Sequence, residues 1–380
     1  MTVGKCYLAV VDLLICLMLI CSLNKPTNQH IGKSNHAQNE RAVAIKHTDR
    51  QGRVVTLAGT LTLPKGKTPK GGWPAMVMIT GSGSQNRDEE LMGHKPFKVI
   101  ADYMASNGIA TLRCDDRGVG GSSGAFDDIT PYDLVDDIEA QWRWLTKIKN
   151  INPDKIGLIG HSEGGMLAPM AAVENPRVAF VVMLAGPALP MQATLLEQNK
   201  RIFALRGVED SLINRRLDFM VEAFASADSM AKADTTNLVD RLNRHYRALK
   251  DSIAAGLSKE QKQKVGLTTK ECYGWAVTMA SPYMRAQMGI RAGEYLERLS
   301  CPLFALNGEL DCQVDAKSNL EAVRQACKEK KSPWHLWLCP GMNHLFQYCQ
   351  TGAIMEYAHL GQSPADDVLE SIKDWILGLW

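Results

Sequence analysis

The chain has 380 residues, of which 45% are hydrophobic and 22% are charged, and its formal net charge is +2. This length and composition predict a globular protein with a sizeable core, organised as one main domain plus an insertion. The near-neutral balance, without a basic stripe interleaved with aromatic residues, gives no reason to expect nucleic acid as a partner.

The first residues of the chain, 1–21, differ in composition from the rest. The apolar run from Tyr7 to Cys21 is typical of a secretory signal. It is shorter than the roughly 20 apolar residues that a membrane span needs, and Asp12 interrupts it. We expect 1–21 to be a signal peptide or a lipoprotein leader acylated at Cys21, followed by a flexible polar tether over 22–40. The protein is then exported, and is periplasmic or attached to a membrane by its N-terminus. An uncleaved anchor and a misassigned start codon are the alternatives.

The chain contains 10 cysteines, and the seven beyond the leader form no C-x-x-C pair, so no zinc site is predicted. Five of them lie in the last third of the chain: Cys301, Cys312, Cys327, Cys339 and Cys349. In an exported protein one or two disulfides can form there. Buried free thiols are the alternative.

From residue 41 onwards the pattern alternates between strands and helices. Strands are predicted at 42–47, 54–63, 75–80, 109–113, 155–159, 179–184, 302–306 and 335–338, and helices at 96–106, 132–146, 163–173, 318–328 and 364–379. Near-continuous apolar strands separated by helices indicate an α/β fold, with a mostly parallel sheet covered on both faces.

The alternation stops over residues 191–298, which contain amphipathic helical stretches such as 195–205 and 238–249 but no buried strand pattern. We therefore predict a helical cap or lid inserted into a catalytic domain made of 41–190 and 299–380. A structural or oligomerising insertion is the alternative, and the sequence leaves the oligomeric state open.

Two stretches fit G-x-S-x-G, the pattern of a nucleophile elbow. Ser122 lies in a Gly/Ser-rich loop and is expected to be only a loop residue. Ser162 lies where the strand 155–159 passes directly into the helix that starts at Glu163. An elbow holds its serine on a strained strand-to-helix turn, and small neighbours are needed to avoid clashes. We predict Ser162 as a nucleophile.

A serine hydroxyl needs a base to take its proton. In chains with such an elbow the acid and then the histidine follow the serine. His344 comes just after the last predicted strand and is the predicted base. His335 lies inside that strand and His94 precedes the serine, so both are expected to be structural or surface residues.

The acid that orients the histidine should follow an earlier strand. The strand 302–306 ends in a loop that carries three carboxylates, and Asp311 is the predicted acid. Glu309 and Asp315 are its competitors.

An oxyanion hole needs two N–H donors, one of them from the residue after the nucleophile, which is Glu163. The loop Gly81-Ser82-Gly83 follows an early strand, and its glycines permit a tight backbone turn. Ser82 is the predicted second donor and Gly83 the next choice. A plain turn is the alternative for this loop.

Three stretches resemble motifs of a known group: 80–88 (TGSGSQNRD), 115–120 (DDRGVG) and 160–165 (GHSEGG). They are similar to those of bacterial α/β-hydrolases of the EstD-type esterases and of the serine aminopeptidase-like hydrolases. The resemblance covers about residues 42–380 and is weakest in the predicted cap. It implies an α/β-hydrolase fold and a serine carboxylesterase that acts on short acyl esters without a metal or an organic cofactor.

The chain also departs from that group. Many relatives have Pro where this chain has Ser84 and Asp where it has Asn86, which concerns substrate details rather than the type of reaction. Asp116 and Arg117 are expected to brace the loops around the site, with a surface salt bridge as the alternative.

Two other functions remain open at this level. A serine peptidase or amidase would use the same triad and differ only in its pocket and leaving group. A surface-attached binding protein without catalytic activity would need none of Ser162, Asp311 and His344.

Overall fold

The computed structural model describes residues 39–126 and 129–380, and the eight strands in them form one sheet. They are β1 (Asn39–Thr48), β2 (Val54–Leu63), β3 (Trp73–Ile79), β4 (Ala110–Cys114), β5 (Ile151–His161), β6 (Val181–Leu184), β7 (Leu303–Gly308) and β8 (Trp334–Cys339). Their order is β1-β2-β4-β3-β5-β6-β7-β8. β2 pairs antiparallel with β1 and β4, and all other neighbours are parallel. The predicted α/β class with a mostly parallel sheet is confirmed.

Twelve α-helices accompany the strands in the described residues. They are α1 (Pro96–Ser106), α2 (Pro131–Leu145), α3 (Glu163–Glu174), α4 (Met191–Leu205), α5 (Asp210–Ala233), α6 (Leu238–Ile253), α7 (Lys259–Lys264), α8 (Thr269–Ala280), α9 (Pro282–Gly289), α10 (Ala292–Arg298), α11 (Ala316–Cys327) and α12 (Asp366–Leu377). A 3₁₀ turn, Ile354–His359, precedes α12.

Helices cover both faces of the sheet because the strand residues are apolar on both sides. Met76 and Met78 of β3 share a core with the apolar sides of α1 and α12. Ala75 and Val77, which point the other way, are also fully buried, and α2 and α3 contact the sheet there. Such two-sided burial is the physical reason for the near-continuous apolar strands.

The described chain divides into two compact units. One is Pro190–Ile290, and the other consists of the described residues up to Leu189 together with Arg291–Trp380. The first unit is made of α4 to α9 and contains no strand. Its centre holds Arg216, which is fully buried, donates hydrogen bonds to Asn199 Oδ1 (2.7 Å) and to a carbonyl, and stacks on an aromatic ring. The interpretation of residues 191–298 as a cap or lid stays a prediction.

The parallel strands place their carboxyl ends at one edge of the sheet, and the predicted site residues follow these ends. Ser162 comes directly after β5, the loop with Ser82 after β3, Asp311 after β7 and His344 after β8. Loops at this edge of a parallel sheet are common ligand sites because the adjacent strand ends bring side chains from distant parts of the chain together.

The leader predicted at 1–21 lies outside the described residues, as does the predicted tether except for Asn39 and Glu40, which lie in β1. Within the described residues no helix is both long enough and apolar enough to span a bilayer. The seven cysteines there are free thiols, six of them buried.

Candidate active site

Ser162 occupies a strained turn between β5 and α3. Its backbone has φ 53° and ψ −120°, outside the regions that L-residues prefer, and its N–H donates to Leu184 O (2.8 Å). A Cβ added at Gly160 would collide with the Gly164 carbonyl, and one added at Gly164 would collide with the Ile79 carbonyl. The two glycines of the motif are therefore required by close backbone packing around the serine.

His344 and Asp311 form a buried pair, with His344 Nδ1 2.6 Å from Asp311 Oδ2. Asp311 is 0% exposed and His344 is 3% exposed. The other carboxylate oxygen, Oδ1, accepts the N–H groups of Gln313 (2.7 Å) and Val314 (2.9 Å), and Asn307 Nδ2 donates to Oδ2 (3.1 Å). A carboxylate that only accepts hydrogen bonds requires the proton of His344 on Nδ1, and this leaves Nε2 as the basic nitrogen.

The two competing acids have other partners. Glu309 Oε2 accepts the N–H of Gly341 (3.1 Å), at the start of the loop that carries His344. Asp315 Oδ2 accepts the N–H of Ser318 (2.9 Å) and caps α11. Asp311 is the carboxylate that the structure brings to the histidine.

The other two histidines considered from the sequence, His94 and His335, contact residues outside the predicted triad. His94 Nε2 lies 2.8 Å from the Tyr357 carbonyl, and the exposed His335 packs its ring against Phe304. The serine of the second G-x-S-x-G stretch, Ser122, donates to the Asp115 carbonyl (2.8 Å) and is a buried loop residue.

His161, which directly precedes Ser162 in the chain, contacts His344. The rings of His161 and His344 are 4.7 Å apart between centroids, and His161 Nε2 lies 3.0 Å from the His344 carbonyl. Among the described residues no hydrogen bond joins the Ser162 hydroxyl to His344. Such bonds are often long before substrate binds and shorten in the complex with it.

The loop after β3 lies beside Ser162, the predicted nucleophile. A Cβ added at Gly81 would be 3.3 Å from the Cβ of Ser162, so the loop passes directly next to it. The N–H of Gly81 donates to Glu89 Oε1 (2.6 Å) and is therefore not an oxyanion donor. The next N–H, that of Ser82, makes no hydrogen bond within the described residues, and Glu163 opens α3 on the other side of Ser162.

Asp116 holds in place the loop with Ser82, the predicted oxyanion loop. Its carboxylate accepts hydrogen bonds from Thr80 Oγ1 (2.9 Å) and from the N–H of Gln85 (2.8 Å), on either side of Ser82. Burial raises the pKa of Asp116 to about 8, although these hydrogen bonds favour the charged form. The predicted bracing role is thus matched by direct contacts.

Arg117 is buried, with 1% of its surface exposed, and is not part of a surface salt bridge. It donates to Asp137 through Nε (2.7 Å) and Nη2 (2.8 Å) and to Asp49 through Nη1 (2.7 Å). These hydrogen bonds connect the segment after β4 with α2 and with the β1–β2 turn. Arg117 therefore supports the site from a distance.

Two buried residues at the site, Glu89 and His161, were not singled out from the sequence. His161 Nδ1 lies 3.0 Å from Glu89 Oε1, and Glu89 is only 4% exposed. His161 stands inside the GHSEGG motif, directly before the nucleophile, so its position was a usable signal. Glu89 follows no strand end and belongs to no motif, so no local pattern pointed to it. Within the described residues no group of three or more His, Cys, Asp or Glu side chains is arranged to hold a metal ion.

Comparisons with known proteins identify a family and a curated relative of this chain. The family described as X-Pro dipeptidyl-peptidase (S15 family) matches residues 51–345. The esterase EstD of Thermotoga maritima is 32% identical over 159 residues, which are 41% of this chain and 37% of that protein. The chain thus spans little more than a third of this curated relative. The resemblance to EstD-type esterases is confirmed, and the matching family is that of the S15 peptidases.

Solved structures share the fold at low identity. A hypothetical protein of Pseudomonas aeruginosa, PA2218, has a TM-score of 0.55 at 17% identity and covers 94% of this chain and 99% of its own. The Pyrococcus furiosus esterase Pf2001 has a TM-score of 0.51 at 14% identity, and the match covers 94% of this chain and 96% of that structure. The α/β-hydrolase fold is confirmed.

Proposed function

We propose that the chain, which belongs to the X-Pro dipeptidyl-peptidase (S15) family, is a serine hydrolase. We also propose that its substrates are carboxylic esters with short acyl chains. The observation that carries the proposal is the buried Asp311–His344 pair at 2.6 Å, next to the strained turn of Ser162. The match to the esterase EstD supports ester substrates.

In the proposed reaction Ser162 Oγ bonds to the carbonyl carbon of the ester while its proton moves to His344 Nε2. The N–H groups of Ser82 and Glu163 bind the oxygen that becomes negative. The bond to the leaving alcohol then breaks, and the alcohol takes the proton from His344. Water repeats these steps on the acyl-enzyme, releasing the acid and restoring the hydroxyl of Ser162. Asp311 keeps the His344 proton on Nδ1 and balances the imidazolium charge.

A second candidate is peptidase activity, which the description of the family favours. A dipeptidyl-peptidase must bind the N-terminal ammonium of its substrate, for which a carboxylate is the natural acceptor. Asp116 and Asp311 already bind the groups described above, Glu89 Oε1 binds Gly81 and His161, and Glu89 Oε2 is buried away from solvent. This arrangement favours the ester over the peptide.

The test compares p-nitrophenyl butyrate with Ala-Pro-p-nitroanilide, using the wild-type chain and Ser162→Ala. We expect ester cleavage that the substitution lowers by about 10⁴-fold or more, and much slower release of nitroaniline. Faster cleavage of the anilide would establish the peptidase. Absence of both activities, with no reaction toward a fluorophosphonate probe, would establish the inactive binding protein. We expect dialysis against EDTA to leave the rate unchanged, because no step of the proposed reaction uses a metal.

We further propose that the enzyme is exported through residues 1–21 and is periplasmic or membrane-attached. The apolar run from Tyr7 to Cys21 supports this. Fractionation of producing cells and the mass of the mature chain test it: cleavage or acylation near Cys21 is expected, and an unprocessed chain in the cytoplasmic fraction would contradict it.

A further inference from the structure

The site contains a second histidine–carboxylate pair, Glu89 and His161, which the proposed reaction does not use. His161 is 7% exposed and Glu89 is 4% exposed. Each ring nitrogen of His161 faces an acceptor: Nδ1 lies 3.0 Å from Glu89 Oε1 and Nε2 lies 3.0 Å from the carbonyl of His344. Neutral imidazole has one donor and one acceptor nitrogen, so with Glu89 as a carboxylate only imidazolium satisfies both contacts.

The pair joins three parts of the site. The same oxygen of Glu89 that faces His161 also accepts the N–H of Gly81 in the oxyanion loop (2.6 Å). His161 precedes the nucleophile in the chain, and its other nitrogen meets the main chain of the base. A Cβ added at Gly81 would lie 2.9 Å from Glu89 Oε1, so a side chain there would displace this carboxylate.

Building this connection costs backbone strain and a buried charge. Glu89 has φ 51°, in the left-handed region that residues with a Cβ rarely adopt. Its second oxygen, Oε2, is buried without a hydrogen-bond partner, at a cavity lined mainly by apolar side chains such as Phe97, Leu184 and Phe346. The carboxylate charge is therefore balanced chiefly by His161 in surroundings of low polarity, where such an attraction is strong.

We infer that Glu89 and a His161 that is protonated at neutral pH form a positioning pair that fixes the oxyanion loop, the nucleophile turn and the base loop relative to one another. This inference rests on the proposed serine-hydrolase function for its kinetic consequences. Neither residue touches the reacting atoms. A shift of about 1 Å in a reacting group can cost about 10²-fold in rate, so we expect their loss to lower kcat rather than to raise KM.

The charges around His161 support the protonated form. Burial by itself lowers the pKa of His161, but the charge and hydrogen bond of Glu89, the carbonyl of His344 and the charge of Asp311 together raise that pKa above its ordinary value. The His344 ring also faces it, at 4.7 Å. As the pH rises through this raised pKa, one ring nitrogen loses its proton and its donor bond, and the rate should fall.

The kinetic test uses Glu89→Gln and His161→Gln in the full chain with p-nitrophenyl butyrate. We expect each to lower kcat by about 10- to 100-fold with KM nearly unchanged. In Glu89→Gln the alkaline limb of the pH–rate profile should move to lower pH, because the charge that holds the His161 proton is gone. In His161→Gln that limb should be absent.

A matched control is His47→Gln. His47 Nε2 lies 2.6 Å from Asp137 Oδ1 and its side chain is 12% exposed, so it is another histidine beside a carboxylate, without a hydrogen bond to the three joined loops. We expect this variant to keep the wild-type profile, even if its thermal unfolding temperature falls. Unchanged kcat and alkaline limb in both Glu89→Gln and His161→Gln would overturn the inference.

A second measurement does not depend on activity. In ¹⁵N-histidine-labelled wild-type protein, both ring nitrogens of His161 should give the signals of imidazolium at pH 7, assigned by their absence in His161→Gln. A neutral His161 ring at pH 7 would overturn the positioning pair. Protonated His161 in a chain that cleaves no ester would instead retain the pair and overturn the proposed function.

Discussion

Replacing Asp311 by Asn tests the orientation of the base with little change of shape. Asp311 Oδ1 accepts two main-chain N–H groups, from Gln313 and Val314, so the amide oxygen of Asn must take that place. The amide NH₂ then faces His344 Nδ1 at the former 2.6 Å contact. Two donors cannot share this contact, so His344 must move its proton to Nε2, and Nε2 can then no longer accept the proton of Ser162.

The expected loss follows from this wrong tautomer. Where the same change has been made in a Ser-His-Asp triad, kcat falls by about 10⁴-fold. At about 1.36 kcal/mol per factor of ten, this is about 5 kcal/mol of transition-state stabilisation. The Asn307 amide also loses its acceptor, so we expect a small decrease in the thermal unfolding temperature. The assay is kcat and KM for p-nitrophenyl butyrate, with circular dichroism to show that the variant is folded.

Matched controls come from the two carboxylates that were the alternative acids. Glu309→Gln keeps an oxygen for the Gly341 N–H, and Asp315→Asn keeps the cap of α11. Both should retain activity within a few-fold. If Asp311→Asn stayed within tenfold of the wild type while one of these controls lost activity, the assignment of the acid would be wrong.

Three further predictions concern the residues that hold the site. Arg117→Met should destabilise the fold by about 3–5 kcal/mol in urea unfolding, because it removes the buried guanidinium from Asp137 and leaves Asp49 with Arg53 alone; an effect below about 1 kcal/mol would contradict the network. The pKa of Asp116 is raised from 3.8 to about 8, so its contribution to stability is fully present below pH 3.8 and is lost as the pH rises from there through 8. The unfolding temperature of Asp116→Asn should therefore exceed that of the wild type by clearly more at pH 9 than at pH 4, and an equal difference at both pH values would refute this. Gly164→Ala should abolish esterase activity and lower the unfolding temperature, because its Cβ collides with β3; an active variant would show that the turn can relax.

Much of the sheet could be predicted because strands and helices leave local patterns. α1 was predicted at 96–106, where it lies, since Pro marks its start and apolar side chains recur on one face. β5 is longer than the predicted 155–159 and begins at Ile151, which pairs with Trp73 across an irregularity. A polar stretch at 152–155 hides this extension, because the strand is held by pairing with β3 rather than by its own apolar pattern.

For the site, too, the residues that follow local patterns could be predicted, and those that depend on long-range contacts could not. Ser162 could be placed because glycine spacing and a strand-to-helix turn are local, and His344 and Asp311 because they follow strand ends. The choice of Asp311 over Glu309 depends on where each carboxylate points, which spacing along the chain does not determine. Glu89 is 72 positions from His161, and only the neighbouring positions of β3 and β5 in the sheet bring them together.

The central claim is that Ser162 is an activated nucleophile, and covalent labelling measures this directly. The full chain is treated with a fluorophosphonate, digested, and the modified peptide is identified by mass spectrometry. We predict one adduct on Ser162, unchanged in Ser122→Ala and absent in Ser162→Ala. An adduct on another residue, or none on a folded wild-type chain, would contradict the account.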